Sequence, residues 1–289
     1  MILGYNTNGL AHHDLLDAVR LLAEIGYRSV AITIDHNALS PRSSNSPRQR
    51  VRLRRLLERL GMRSAIETGA RYLLDPRRKH EPTLLSPTAA ERARRLDFYR
   101  YAIDCAAELQ SHCVSLFSGV LHQPLAETEA MQLLADGLGQ VLQYAASRNV
   151  AVGLEPEPGM FIDTVARFLQ LHQRLGDPSL RLTLDIGHVH CLGEGPIAQI
   201  ISSTAPLLVN VHLEDMRAGV HEHLMFGEGE IDFRAVIGAL RAAEYTGPIH
   251  VELSRHSHQA PEAARKAMAF LQPIMAQFSA GGPQPTSGG

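Results

Sequence analysis

Short runs of aliphatic and β-branched residues alternate with longer amphipathic stretches along this chain, and the alternation repeats eight times. The apolar runs fall at 2–6, 29–34, 64–68, 114–117, 150–155, 181–185, 208–213 and 249–253. Helical spacing follows at 13–25, 47–60, 88–110, 127–147, 163–175, 196–203, 233–243 and 261–275. In the first of these, Leu15, Leu16, Val19, Leu22 and Ala23 share a face, Asp14 stands near the start and Gly26 just past the end. Regular alternation of this kind implies parallel strands joined by helical crossovers. Eight such units close into an α/β (β/α)₈ barrel, expected as one domain over residues 1–278, with a Gly/Pro/Ser-rich tail at 279–289 expected to be disordered. An open doubly wound sheet is the competing topology, but no Gly-rich nucleotide-binding turn follows the first strand.

Composition narrows the function. A chain of 289 residues with 45% hydrophobic content can bury a large core. A formal net charge of -2 argues against a protein that lives on nucleic-acid phosphates. No apolar run approaches the roughly 18 residues of a membrane helix. The opening residues do not resemble a secretory leader. Cys105, Cys113 and Cys191 cannot all pair, which favours a reducing cytoplasm. Cys105 and Cys113 read as packing residues, and Cys191 lies nearer the reactive face without a base partner.

In a barrel of this kind reactive groups sit where each strand meets its following loop. The fifth strand ends at Glu155, followed by Pro156 and Glu157. The sixth ends at Asp185 with His188 three residues on, the seventh at His212, the eighth at Glu252. Singly, each is more often a cap or an ion-pair partner. Together, four successive strands deliver carboxylates or an imidazole at one height. Three converging carboxylates would repel one another and be costly to bury, and a divalent cation resolves both problems. Three oxygens and one nitrogen suit Mn²⁺, with Mg²⁺, Co²⁺ or Zn²⁺ as alternatives.

At these positions the sequence resembles the xylose isomerase-like TIM-barrel superfamily, in its sugar phosphate isomerase/epimerase branch, near the ketose 3-epimerases and inosose enzymes. The resemblance spans the first strand to the last helix and is most specific over 150–255. It implies metal ligands at Glu155, Asp185, His212 and Glu252. It also implies substrate contacts at His188 and Arg217, and the segment His223 to Phe233 is similar to the family's His…Gly-Glu-Gly-x-Ile-Asp-Phe stretch. The implied activity is isomerisation or epimerisation of a small carbohydrate through an ene-diolate, with Glu155 and Glu252 moving the proton from opposite sides. Asn6, Glu157 and His223 complete the expected substrate-binding set. Glu157 has an equal claim to be a surface residue.

Two rival activities fit the same pattern. A keto-sugar or inosose dehydratase would expel a hydroxyl from the same intermediate. An endonuclease IV-type phosphodiesterase shares the barrel, and His221-Glu222-His223 is similar to its loop histidine. That reading is weakened because the third and fourth strands end in Glu67-Thr68-Gly69 and Phe117-Ser118-Gly119, without histidine, and Gly219 stands where an Asp is expected. A non-catalytic metabolite-binding barrel is a further alternative.

The long charged stretch at 72–87 is expected to be a lid whose cations could hold a substrate anion, or else a solvated loop. Tyr5, Asn8, Asp35 and His36 end the first two strands and are pocket candidates. His12 and His13 are not expected as ligands. The arginine-rich segment from Arg48 to Arg63 reads as an outer helix with a solvated face, since it lacks the aromatics of a nucleic-acid surface. The chain is therefore expected to bind no nucleic acid or membrane, and a homo-oligomer stays open.

Overall fold

The computed structural model describes residues 1–278, so the expected tail at 279–289 lies outside the described residues. In chain order the strands are β1 (Ile2–Asn6), β2 (Ser29–Thr33), β3 (Arg63–Glu67), β4 (Val114–Leu116), β5 (Val152–Leu154), β6 (Leu180–Asp185), β7 (Leu208–Leu213), β8 (Asp215–Arg217), β9 (Val220–Leu224) and β10 (Pro248–Val251). The helices are α1 (Leu15–Ile25), α2 (Ser46–Leu60), α3 (Ala89–Leu109), α4 (Glu127–Ser147), α5 (Val165–Leu175), α6 (Ile186–Leu192), α7 (Ile197–Thr204), α8 (Phe233–Ala242) and α9 (Ala260–Gln277). Strands β1 to β7 and β10 pair in parallel and close into a barrel in the order β1-β10-β7-β6-β5-β4-β3-β2. The expected (β/α)₈ architecture is the one observed. Strands β8 and β9 form a separate antiparallel hairpin on the reactive face.

Local chemistry explains the element ends. Asp14 caps α1 by accepting from the Leu16 N–H, and Gly26, at φ 119°, ends it in a conformation that a residue with a Cβ rarely adopts. Thr88 and Glu91 form a reciprocal capping box at the start of α3.

Strand alternation sorts the side chains into two populations. Val30, Ile32, Ile66, Val114, Leu116, Val152, Leu154, Leu182, Leu184, Val211, Ile249 and Val251 are buried in the main core beneath the helices. Each such side chain contributes about 1.5–3 kcal/mol through removal from water. Many inward positions are polar, beside a small apolar cluster of Ala65, Cys113 and Val209. Ser29, Asn210, His212 and His250 are all buried; Ser29, His250 and Asn210 hydrogen-bond in a column along the barrel axis, and Asn210 and His212 both reach Glu67. Gly4 makes room for this column: a Cβ there would stand 2.4 Å from His250 Cδ2.

Two elements were not legible as such in the sequence. Helix α6 begins immediately after β6, because Asp185 both ends the strand and caps the helix by accepting from the His188 N–H at 2.8 Å. The β8–β9 hairpin is short and polar, and it carries no hydrophobic period of its own. The arginine-rich helix α2 buries Leu53, Leu56 and Leu57, and Arg54 pairs with Glu58 on its exposed side. All three cysteines are buried and unpaired.

Candidate active site

Glu155, Asp185, His212 and Glu252 meet at the C-terminal mouth of the barrel, from β5, β6, β7 and β10 or the residue just after. Asp185 and His212 are in direct register on neighbouring strands. The Glu252 N–H donates to the Leu213 carbonyl and the Glu155 N–H to the Leu116 carbonyl, so both carboxylates continue the barrel ladder by one residue. His212 Nδ1 faces all three acids, 3.0 Å from Glu155, 2.9 Å from Glu252 and 3.9 Å from Asp185. One donor atom from each of the four lies within 4.8 Å of the others.

The opposite ring nitrogen of His212 meets Glu67 Oε1 at 3.1 Å, and Asn210 Nδ2 donates to the same oxygen at 3.1 Å. Asn210 in turn takes a hydrogen bond from His250 Nδ1 at 2.8 Å, and His250 Nε2 meets Ser29 Oγ at 2.9 Å. Asn8 Nδ2 donates to Glu252 Oε1 at 2.7 Å, which leaves Oε2 turned toward His212.

The electrostatics follow from packing so many ionisable groups away from water. Burial pushes the Glu155 carboxyl up to about 8; His212 opposes the shift, while the Glu252 and Asp185 charges add to it. Burial and then Glu155 raise Glu157 well above the usual carboxylate range, and burial with Asp185 does the same for Glu214. Burial also works against the charge on Glu252, but His212 outweighs it and holds that carboxyl low. His212 itself loses to burial and gains more from Glu155, Glu67 and Glu252, so its imidazole is held well above its ordinary value. His188, His221 and His223 are each lowered by burial.

A 420 Å³ cavity opens above these groups, within the range of small-molecule sites. Of the expected substrate contacts, Asn6, Glu157 and His223 line it. His188 does not; it is buried beneath His221, with Nδ1 against the Pro156 carbonyl at 3.1 Å. Arg217 is not brought to the site. It is exposed on β8 and its guanidinium donates to the Glu228 carbonyl, because the hairpin turns that side chain away from the barrel mouth. The cavity's cations are instead Arg71, Lys79 and Arg255.

The Gly-Glu-Gly segment serves the hairpin. Asp215 accepts from the N–H groups of Met216, Gly227, Gly229 and Ile231. A Cβ at Gly229 would fall 2.3 Å from Asp215 Oδ1. This knot fixes the base of the hairpin that carries His221 and His223.

The stretch between β3 and α3 is stapled to the barrel at its ends, while its charged tip, Pro76 to Lys79, is exposed to solvent as one of the two expectations had it. Arg95 is fully buried and donates to the carbonyls of Pro82, Thr68 and His80, with its guanidinium over the rings of Phe98, Tyr99 and Phe117. Arg78 is taken up by Asp75 in the loop and Glu91 in α3, whereas Lys79 reaches the cavity.

Glu67, Asn210, His250, Glu214 and His221 are site residues that strand-end reading did not single out. Glu67 offered a signal, being a carboxylate at a strand end. The others depend on lumen geometry or on the hairpin.

A closed parallel barrel with acids and imidazoles gathered at its C-terminal mouth defines a class. The chain belongs to the Xylose isomerase-like TIM barrel family, whose model matches residues 19–274. Among its relatives, L-ribulose-5-phosphate 3-epimerase UlaE of Shigella flexneri serotype 5b (strain 8401) is 26% identical over 267 residues, covering 91% of this chain and 90% of its own. Two solved structures share the fold. The IolI protein with a bound zinc atom superposes with a TM-score of 0.77 at 16% identity, over 97% of this chain and 100% of its own. The 3-keto-D-glucoside 4-epimerase YcjR from E. coli gives 0.78 at 18% identity, over 94% and 99%. Among the described residues, no helix is long and apolar enough to cross a membrane.

Proposed function

We propose that this protein is a divalent-metal-dependent sugar isomerase or epimerase acting on a small ketose. The observation that carries the reading is the pair Glu155 and Glu252, 3.0 and 2.9 Å from His212 Nδ1 at the floor of the cavity. Two carboxylates facing one small volume can take a proton from a substrate carbon and return one to it.

Glu155, Asp185, His212 and Glu252 would hold the ion. The fit rests on the donor set and on Asp185 Oδ2, a buried oxygen with no hydrogen-bond partner that lies 3.9 Å from His212 Nδ1. Three oxygens and one nitrogen favour Mn²⁺, with Mg²⁺, Co²⁺ or Zn²⁺ as alternatives. When bound, a divalent ion there supplies positive charge beside a carbonyl, which lowers the cost of removing the neighbouring proton.

The chain's own residues do the rest. Glu155 and Glu252 have been pushed apart in proton affinity, the usual basis for an acid and a base in one site. Asn8 orients Glu252. Asn6, Glu157 and His223 line the wall against which sugar hydroxyls would lie. Lys79 lines the rim together with Arg71, which stands 4.0 Å from Asp35, and Arg255, which is paired with Glu222 at 2.9 Å, and these cations could meet the anion of a phosphorylated sugar; the relative named above is itself a pentulose-phosphate epimerase. The buried, unpaired cysteines support a reducing compartment, the cytoplasm.

The test uses candidate ketoses and ketose phosphates in deuterated water. Wild type should wash deuterium into the carbon next to the carbonyl. Glu155→Gln and Glu252→Gln should each lose that exchange by about 100-fold or more while keeping a native circular-dichroism spectrum. Full exchange in both variants removes them as acid and base. A product lighter by one water would instead mark the dehydratase, and cleavage of abasic DNA the phosphodiesterase.

A further inference from the structure

A second cavity adjoins the first. It measures 280 Å³ and lies between the turn after β1, at 7–14, and the turn after β2, at 35–38. Asn8, Thr33 and Arg71 line both cavities, so the two meet along a shared wall. Arg71 stands in that wall; its guanidinium donates to the Asn8 carbonyl at 3.2 Å and comes within 4.0 Å of Asp35. The floor of the second cavity is apolar, built from the buried side chains of Leu10, Leu15 and Ala18. Its edge is polar and carries His12, Asp35, His36 and Asn37. Two buried atoms of lining residues, Asn8 Oδ1 and His13 Nδ1, have no hydrogen-bond partner.

We propose that the two cavities form one bipartite site for a ketose that carries a second sugar ring. The ketose unit lies above Glu155 and Glu252, and the second ring fills the chamber between the two turns.

The placement of the reacting unit rests on the isomerase reading; the chamber stands on its own geometry. A sugar ring has an apolar C–H face and a girdle of hydroxyls, which matches an apolar floor inside a polar edge. Hydroxyls both donate and accept, so they suit the two orphaned atoms. Water would satisfy those atoms as well but would leave the aliphatic floor wet. A phosphate fits the chamber less well, because the Asp35 carboxylate repels an anion and accepts from a hydroxyl. Both walls are held before a ligand arrives. Asp35 and Ala38 exchange backbone hydrogen bonds at 3.0 and 3.2 Å. Ser257 Oγ donates to the Asn8 carbonyl at 2.9 Å and accepts from the Ala11 N–H at 3.3 Å. Filling such a chamber costs little further ordering. Asn8 joins the two halves, since the amide that leaves Oδ1 unpaired also orients Glu252 through Nδ2. The chamber lining shares no residue with the four-donor set of Glu155, Asp185, His212 and Glu252.

The test compares probes with one reacting unit. D-Fructose, and fructose carrying a glucosyl or galactosyl ring on O4 or O6 (maltulose, lactulose, isomaltulose), are incubated with the full chain, its divalent metal and deuterated water. Deuterium exchange next to the carbonyl gives kcat/KM for each. At least one disaccharide should exceed fructose by about 10-fold, mainly through a lower KM. Ala11→Phe, which fills the chamber, should cut that ratio back toward one. His36→Ala, at an exposed position on the edge, serves if Ala11→Phe fails to fold. Exchange of fructose with no disaccharide preferred overturns the chamber and leaves the isomerase reading standing. A preference that survives both variants also overturns it. If no probe exchanges, the isomerase reading fails on these ketoses, and saturation-transfer NMR of the same disaccharides decides the chamber. Signals lost in Ala11→Phe uphold it as a sugar subsite, and no signal in wild type overturns it.

Discussion

Which face His212 turns to the site is decided by residues below it. A carboxylate can only accept, so Glu67 keeps a proton on the nitrogen it meets, and an ion held by the four-donor set would take the place of the proton on Nδ1. Asn210 holds Glu67 from the side, and His250 and Ser29 hold Asn210. Glu67→Gln removes that choice, because an amide can flip and offer either a donor or an acceptor. We expect metal affinity at the four-donor set to fall by about 10–100-fold, read by Mn²⁺ titration of stripped protein. An unchanged affinity would leave Glu67 as a lumen filler. At this scale the sequence is informative wherever period-two alternation decides the outcome. Glu155, Asp185, His212 and Glu252 were readable because each closes an apolar run. Arg217 misled because nearness along the chain to His212 says nothing about which way a hairpin turns its side chain, and for the same reason His221 was legible only through its likeness to a nuclease loop histidine.

The connection between β3 and α3 shows why elements were easier to place than to interpret. Its length and charge suggest a lid or a solvated loop; the charged tip at 76–79 is indeed exposed, but the segment that follows is fastened to the barrel by Arg95, a residue of α3. His80 sits inside this staple. Its Nδ1 meets the Gly69 carbonyl at 2.5 Å, its ring stands edge-on to Phe117, and its backbone has φ 66°. Burial first, and then Lys79, Arg95 and Arg71, depress its imidazole to about 4. The neutral ring is therefore the folded form. Its contribution is complete above the unfolded value near 6.5 and is lost as pH falls from there toward 4. We expect on the order of 2 kcal/mol of acid sensitivity from this residue, less than the full shift implies because the ring is only partly shielded. His80→Asn keeps a side-chain donor and tolerates positive φ, but it does not titrate. Urea unfolding of the two proteins between pH 7 and 4.5 should give a flatter pH profile for the variant. Parallel profiles would mean that His80 is not a source of the acid sensitivity.

The whole molecule is a ring in which β5, β6, β7 and β10 are consecutive neighbours, and the four proposed ion ligands come from those strands alone. An ion there ties one half of the barrel at its mouth, while β1 to β4 contribute no ligand to it. Binding to the folded state alone stabilises it by about 2.7 kcal/mol at an ion concentration one hundred times Kd. For a domain of this size that corresponds to roughly 5–10 °C in Tm. Chelation should therefore lower Tm by that amount, Mn²⁺ should restore it, and Asp185→Asn should be insensitive to both. Hydrogen exchange localises the effect. If the barrel opens only as a unit, every slowly exchanging strand gains the same protection on metal addition. If its halves open separately, amides of β5, β6, β7 and β10 gain more than those of β2 and β3, because only states that separate the ligands lose the ion. The polar lumen favours the second outcome. The Ser29–His250–Asn210–Glu67 column is a buried polar link between the two halves, and hydrogen bonds of this kind hold less firmly than packed aliphatic layers once water enters. A Tm that ignores chelator and Mn²⁺ alike would mean the four side chains do not share an ion, however well they are placed to do so.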